Sequence, residues 1–417
     1  MMLMLIAFRF SSVINTLVLL FYFVKLVFTD PVLAYGRFSF DLFDYLFSTL
    51  AALLLIAMLI TTKYRDGWLK KKLSFLNKGI SFTSFAVIIL FICYVFAPLV
   101  ADANPDFQKD INVTHLLSPF STVAEIISNK SNAEKNANAF LNIKEKVIKN
   151  SFDNHIIFAD SIVENGSQII LYQKGLKNIF LSDNFNGIII TSKMFLLGTD
   201  EFGRDIFSRL IYGARVSLTI GLLSVFITFL LGTLLGFFAG YTGGIVDLFL
   251  NRLSDMFLSF PVIFLIILIL ALFGNSVFTI IVVLGFSGWM SLFKIVRSEI
   301  ISLKKRDYFL TAKLMGTGNL RMIFYEMLPV IAAPVIVNLV FQFGNVILAE
   351  SALSYLGLGT GGNIPSWGSM IEAGQSYIYR AWWMIIFPGL ALFLSLFIIN
   401  NLGNRIKTII NPWLRND

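Results

Sequence analysis

Residues 306–329 read RDYFLTAKLMGTGNLRMIFYEMLP, a polar and basic stretch set between two long apolar segments. Tyr308, Ala312 and Gly316 recur every four positions, so on a helix they form one stripe. Small residues on that stripe let another surface approach the backbone closely. Gly316 suits a helix end, because glycine takes a left-handed cap without steric cost. A second helical run, Leu320 to Met327, leads to Pro329, which fits the first turn of the next apolar helix. Two short helices with a bend, between two apolar segments, have the form of a docking element. A bulky charged residue at Ala312 or Gly316 is expected to block such docking.

The flanking segments decide the class. Of 417 residues, 57% are hydrophobic and only 14% charged, and mean hydropathy is +0.78. A soluble chain of this length carries far more charge. The apolar segments are continuous and do not alternate, which argues against a β-barrel. The expected fold is an all-α polytopic membrane protein. A net charge of +8 needs no nucleic acid to explain it, because Lys and Arg collect in loops on the inner side. One cysteine, Cys93, excludes an intrachain disulfide and a cysteine metal cluster. His115 and His155 have no Cys or His companion nearby, so no metal site is expected.

A span needs about 20 apolar residues. Eight segments qualify: 8–28, 42–62, 80–100, 214–239, 256–274, 277–297, 328–355 and 382–403. Lys63, Arg65, Lys70, Lys71, Lys72 and Lys78 put the link between spans two and three inside. Lys294, Arg297, Lys304, Lys305, Arg306, Lys313 and Arg321 do the same for the 294–321 link. Eight spans then place both termini in the cytoplasm. Residues 101 to about 212 become one external segment, rich in Asn, Lys, Ser and Asp. Short runs such as Ile156-Ile157-Phe158 and Gln168 to Tyr172 predict a few strands there, hence a small α+β insertion.

Three further stretches carry patterns that hydrophobicity does not force. Residues 197–215, LGTDEFGRDIFSRLIYGAR, offer Thr199 or Asp200 as a helix cap, with Glu201 in the first turn. Arg204, Asp205 and Arg209 then lie at pairing distance along that helix. Gly232, Gly236 and Gly240 form a four-residue stripe in span four, which favours close helix contact. Residues 241–261, YTGGIVDLFLNRLSDMFLSFP, place Asp247, Arg252 and Asp255 in a charge cluster, followed by Pro261. In span seven Asn338, Gln342 and Asn345 share one face, and Glu350 follows near the outer end. That face either lines a translocation path or makes helix-to-helix hydrogen bonds.

The 306–329 stretch resembles the EAA loop of bacterial ABC importer permeases, which seats in a cleft of the ATPase subunit. Ala312, Gly316, Leu328 and Pro329 match its small-residue, glycine and Leu-Pro positions. The family's glutamate falls on Leu310 and its first alanine on Thr311. The 197–215 segment, with Gly198, Thr199, Asp200, Gly203, Arg204, Asp205 and Arg209, is similar to the oligopeptide, dipeptide and nickel branch of these permeases. So are 241–261, LAESALSYLGLG around Glu350, PSWGSM at 365–370 and the final FPGLALFLSLFIINNLGNRIKTIINP. The resemblance covers about 196–413. It sets a type I permease core of five spans at 196–413, with the usual first span at 80–100. Residues 1–79 are then an extra pair of spans with a basic link, and 101–195 an external insertion.

The resemblance implies a C-type permease subunit of an ATP-driven importer in the bacterial cytoplasmic (inner) membrane, taking up oligopeptides or dipeptides. The alternative cargo is nickel or another small solute. It implies a second, B-type permease, two ABC ATPase subunits and an extracytoplasmic substrate-binding protein. Asp307, Tyr308, Thr311, Ala312, Lys313, Gly316, Leu328 and Pro329 become the ATPase-coupling positions. No Gly-x-x-x-x-Gly-Lys-Ser/Thr loop occurs, so the chain is not the ATPase. No catalytic residues and no cofactor are expected here; ATP and magnesium belong to the partner ATPases. A less favoured reading, an ATPase-independent secondary transporter, calls for buried ionisable residues in matched broken halves.

Overall fold

The computed structural model describes residues 82–128, 156–165, 168–174, 176–181, 188–315, 318, 321–359 and 364–410, with scattered positions between 14 and 51. Apart from those positions, the two expected spans at 8–28 and 42–62 lie outside the described residues, as do Gly316 and residues 129–155. The chain forms two compact units, Met1–Arg215 with Ala373–Gly389, and Val216–Glu372 with Leu390–Asp417.

In the first unit, α1 is Phe82–Val95. It ends at Phe96, ahead of Pro98, and one further turn, Ala97–Val100, follows. Among the described residues six strands come next: β1 Ser121–Ser128, β2 Ile156–Ala159, β3 Ser161–Asn165, β4 Gln168–Gln173, β5 Leu176–Leu181 and β6 Ile188–Phe195. They pair antiparallel as two three-stranded sheets, ordered β2-β1-β6 and β3-β4-β5. The runs read from Ile156 and Gln168 are β2 and β4. Phe107, Val113, Val123, Ile156, Phe158 and Phe195 form one core. Phe158 meets Phe107 and Phe195 edge-on, at 6.3 and 6.2 Å between ring centroids, a favoured aromatic geometry.

The remaining helices are α2 Ile206–Thr242, α3 Gly244–Ser259, α4 Val262–Phe273, α5 Val277–Leu303, α6 Asp307–Leu314, α7 Leu328–Leu353, α8 Trp367–Gly374 and α9 Trp383–Ile410. Four of them, with the helical extension of α7, are long and apolar enough to cross a membrane: α2, α5, α7 and α9. They coincide with spans four, six, seven and eight of the sequence reading. Span five needs correction. Residues 256–274 are not one straight helix, because α3 and α4 meet at an 86° bend. Pro261 sits at the break and lacks a backbone donor, and Phe260 before it is extended (φ −91°, ψ 139°), as the residue before proline prefers. The described residues thus hold four spans, or five with the bent pair counted as one.

In the second unit α2 packs on α5 through glycines. A Cβ at Gly232 would lie 2.8 Å from Leu292 Cβ, one at Gly236 2.8 Å from the Phe293 carbonyl oxygen, and one at Gly240 2.9 Å from Ile300 Cβ. Helix α5 reciprocates, since a Cβ at Gly285 would fall 2.8 Å from the Ser224 carbonyl oxygen. Ser224 Oγ and Thr228 Oγ1 donate to the carbonyls of Ile281 and Gly285, at 3.0 and 2.8 Å. Close backbones, with hydroxyls serving carbonyls across the seam, are what holds helices together where burial from water supplies no drive.

Candidate functional site

The loop between α5 and α7 has an anchored side and a free side. Phe309, Met322 and Met327 are buried in one cluster with Leu292, Val296, Ile300, Leu303, Ile331 and Val335. Ala312 and Ile323 pack against the same cluster. Ala312 is therefore half-buried on the chain's own core, while Tyr308, one turn earlier, is exposed. The free side carries Leu314, Met315 and Tyr325, which are 88%, 81% and 74% exposed. Three large apolar side chains thus stand out from a loop anchored by buried residues. Asp307 and Thr311 are exposed on α6, where Thr311 Oγ1 donates to the Asp307 carbonyl at 2.9 Å. The Lys313 backbone is helical.

The run expected from Leu320 to Met327 is a wide π turn over Met322–Met327. The Leu328 N–H reaches back five residues to the Ile323 carbonyl. Pro329, with no N–H to donate, follows in the first turn of α7. Leu328 and Pro329 are both exposed.

Behind the loop, α3 is tied to α5 by two ion pairs. Arg297 Nη2 donates to Asp247 Oδ2 at 2.7 Å and Arg297 Nε to Asp247 Oδ1, a bidentate contact. Lys294 Nζ meets Asp255 Oδ1 at 2.7 Å. Lys304 Nζ caps the end of α2 through the Tyr241 carbonyl at 2.8 Å. The expected cluster of Asp247, Arg252 and Asp255 thus extends to Lys294 and Arg297 of α5. The acids face α5, whereas Arg252 is exposed. Arg252 lies one turn before Asp255 on α3, near enough for its charge to act on that carboxylate.

The polar face of α7 also divides. Asn345 is exposed and Asn338 half-buried. Gln342 turns toward α5, where its Nε2 would lie 2.5 Å from a Cβ placed on Gly288. Gln342 is therefore a helix-packing residue in this conformation. Glu350 does not join that face and is wholly buried among serines.

In the first unit, residues 199–205 are not the start of a helix as expected. Helix α2 begins at Ile206 with Asp205 as its cap, accepting the Ser208 N–H at 2.8 Å. Thr199 to Asp205 close into a tight turn instead. Asp200 Oδ1 accepts the N–H groups of Phe202 and Arg204, at 2.9 and 2.8 Å, and Gly203 takes φ +73°. A side chain at Gly203 would collide with Thr114 Oγ1, 2.1 Å from its Cβ.

Asp200 Oδ2 also holds Arg204 Nε at 2.6 Å and faces Arg209 Nε at 3.6 Å. Arg209 reaches the Pro105 carbonyl at 3.1 Å. Trp383 Nε1 donates to the Thr199 carbonyl at 3.1 Å, and Gly198, at φ +80°, leaves no room for a Cβ beside Leu117 and Trp383. Burial pushes the Asp205 carboxyl above its usual range, against the pull of the Ser208 hydrogen bonds. Burial first, then the Asp200 charge, raises Glu201 as well. Asp200, Asp205, Arg204 and Arg209 are thus engaged within the chain itself. Asp200→Asn removes the countercharge that two buried arginines share, at an expected cost of about 3–5 kcal/mol. Thermal unfolding in detergent should start several degrees lower, and an unshifted transition would remove the pair as a stabilising feature.

Long apolar helices, joined by one anchored loop with an outward apolar surface, describe the membrane-embedded component of a transporter. The chain belongs to the family of binding-protein-dependent transport system inner membrane components, whose model matches residues 232–416. It is 39% identical over 222 residues to the di/tripeptide transport system permease protein DppC of Pseudomonas aeruginosa (strain UCBPP-PA14), covering 53% of this chain and 73% of that protein. It is 38% identical over 218 residues to the dipeptide transport system permease protein DppC of Alkalihalophilus pseudofirmus (strain ATCC BAA-2126 / JCM 17055 / OF4), over 52% of this chain and 72% of that one. The oligopeptide transport system permease protein OppC of Haemophilus influenzae (strain ATCC 51907 / DSM 11121 / KW20 / Rd) is 35% identical over 215 residues, 52% of this chain and 69% of its own length.

Proposed function

We propose that this chain is one of two permease subunits of an ATP-driven importer for short peptides. The observation that carries this reading is the free side of the α5–α7 loop, with Leu314, Met315 and Tyr325 held out by a buried anchor. Peptide permeases among its relatives support the cargo. The loop seats an ABC ATPase subunit, and a pair of such subunits binds ATP and magnesium. A B-type permease completes the path, and an extracytoplasmic binding protein delivers peptide. Asn338 and Asn345 border that path. The protein crosses the cytoplasmic membrane eight times with both termini inside, and residues 101–195 lie outside. ATP acts by favouring one conformation of the paired permeases over the other.

A strain lacking this chain should fail to accumulate labelled di- and tripeptides, and plasmid-borne protein should restore uptake. An ATPase subunit should co-purify with the tagged chain. Peptide uptake unaltered by deletion, with nickel uptake lost, would transfer the cargo to the metal. Transport persisting without any ATPase would overturn the importer reading.

A further inference from the structure

Three elements of the second unit converge on one carboxylate. Ser354 Oγ donates to Glu350 Oε1 at 2.8 Å, and Ser217 Oγ donates to Oε2 at 3.2 Å. Ser351 makes a longer contact at 3.4 Å, and the Ser366 hydroxyl is a further donor. Ser217 in turn accepts the Trp367 backbone N–H at 3.3 Å. The carboxylate therefore gathers hydroxyls from the fourth turn of α2, the end of α7 and the residue that precedes α8. A carboxylate suits this place because it only accepts, and its two oxygens can take every one of these protons at once.

The 364–370 segment is shaped to lie on that site. Ser366 and Ser369 cap each other reciprocally: Ser366 Oγ accepts the Ser369 N–H at 3.1 Å, and Ser369 Oγ accepts the Ser366 N–H at 2.9 Å. Trp367 is buried. A Cβ at Gly368 would sit 2.7 Å from Ser351 Cα, and one at Gly359 2.1 Å from Ser354 Oγ. Backbone thus meets the serine-bearing turn of α7 directly, with no side chain between. The seam of α2 and α5 glycines, by contrast, owes nothing to Glu350.

We infer that Glu350 is a positioning residue that latches the 364–370 segment onto α2 at Ser217 and onto the end of α7. Removing the carboxylate leaves buried hydroxyls without acceptors and the Trp367 contact without support. The segment then lifts while the helix bundle stays packed. Any part the latch plays in transport rests on the permease reading, but the latch itself is testable without transport.

The probe is a membrane-impermeant maleimide on purified full-length protein in detergent, in a Cys93→Ser background. Met370→Cys reports on the segment and Met290→Cys on the bundle, since both positions are buried. Adding Glu350→Ala should raise labelling at 370 by about tenfold or more, as the loss of buried hydrogen bonds shifts a local opening equilibrium. Labelling at 290 should not change. Equal labelling at 370 with and without Glu350 overturns the latch. A parallel rise at both positions also overturns it, because Glu350 would then support the whole bundle. Should Glu350→Ala fail to accumulate, Ser217→Ala and Ser354→Ala replace it, each removing one donor. A rise at 370 alone in either variant supports the latch, and no rise in both overturns it.

Discussion

Peptide uptake should collapse when Leu314 and Met315 are both changed to Asp, with the protein still present at normal level in the membrane. Neither side chain supports the fold, since both are more than four-fifths exposed. Their loss touches only whatever covers them. Central apolar anchors of an interface are worth about 2 kcal/mol each, so two of them amount to several hundredfold in association. The added carboxylates then have to be desolvated against an apolar partner surface, which deepens the loss. Co-purification of the ATPase should fail in step with uptake. Uptake at the normal rate from this variant would strip the loop of its docking role. Ala312→Arg, the substitution suggested by sequence, is a poorer probe. Ala312 packs on Phe309's cluster, so an arginine there disturbs the anchor before it meets any partner.

The second large effect is on assembly of the chain itself. Gly236→Leu should prevent accumulation of folded protein. Its Cβ would press to 2.8 Å on the Phe293 carbonyl oxygen and 2.9 Å on Val296 Cβ. The first of these is backbone and cannot rotate away. Overpacking of a tight core costs about 1–3 kcal/mol even where neighbours yield, and here α2 and α5 must separate along the seam. Gly389→Leu on α9 is the control, because no atom lies within 4 Å of a Cβ built there. Membrane abundance and a monodisperse detergent elution should be lost in the first variant and kept in the second. A well-folded Gly236→Leu protein would mean that the seam is looser than its geometry.

Periodicity made some of this legible in advance. The stripe of Gly232, Gly236 and Gly240 repeats on one element, and its consequence, contact with another helix, needs no knowledge of which helix. The strands at Ile156 and Gln168 follow from alternating local sequence in the same way. What stayed hidden depends on partners far along the chain. Ser217 and Glu350 are 133 positions apart, so no local pattern links them, and nothing in the sequence around Glu350 names its serine partners. Gln342 shares a face with Asn338 and Asn345 on paper, yet the space beside Gly288 draws it to α5. At 199–205 two signals competed. Thr199 and Asp200 are good caps, but Gly203 at positive φ and the Asp200 carboxylate satisfy the backbone locally, and the helix start passes to Asp205. The Pro261 break lay in plain sight. Continuous hydrophobicity on its C-terminal side masked it.

That break shortens the helix available to cross a membrane at this place. Helix α4 has 12 residues, hence a rise of about 18 Å, while the oily slab it must traverse is about 30 Å deep. Its flank offers little to lengthen it: α3 turns away at 86° and is pinned to α5 through Asp247 and Asp255. Phe264, Leu268, Leu272 and Phe273 are nevertheless bare along α4. Where this face meets lipid, acyl chains beside those side chains have to shorten or splay, at a fraction of a kcal/mol for each ångström of shortfall. With α4 crossing the bilayer against lipid, the membrane beside it is thinned, and the length of the surrounding fatty acids becomes one of the variables that set how comfortably the chain sits.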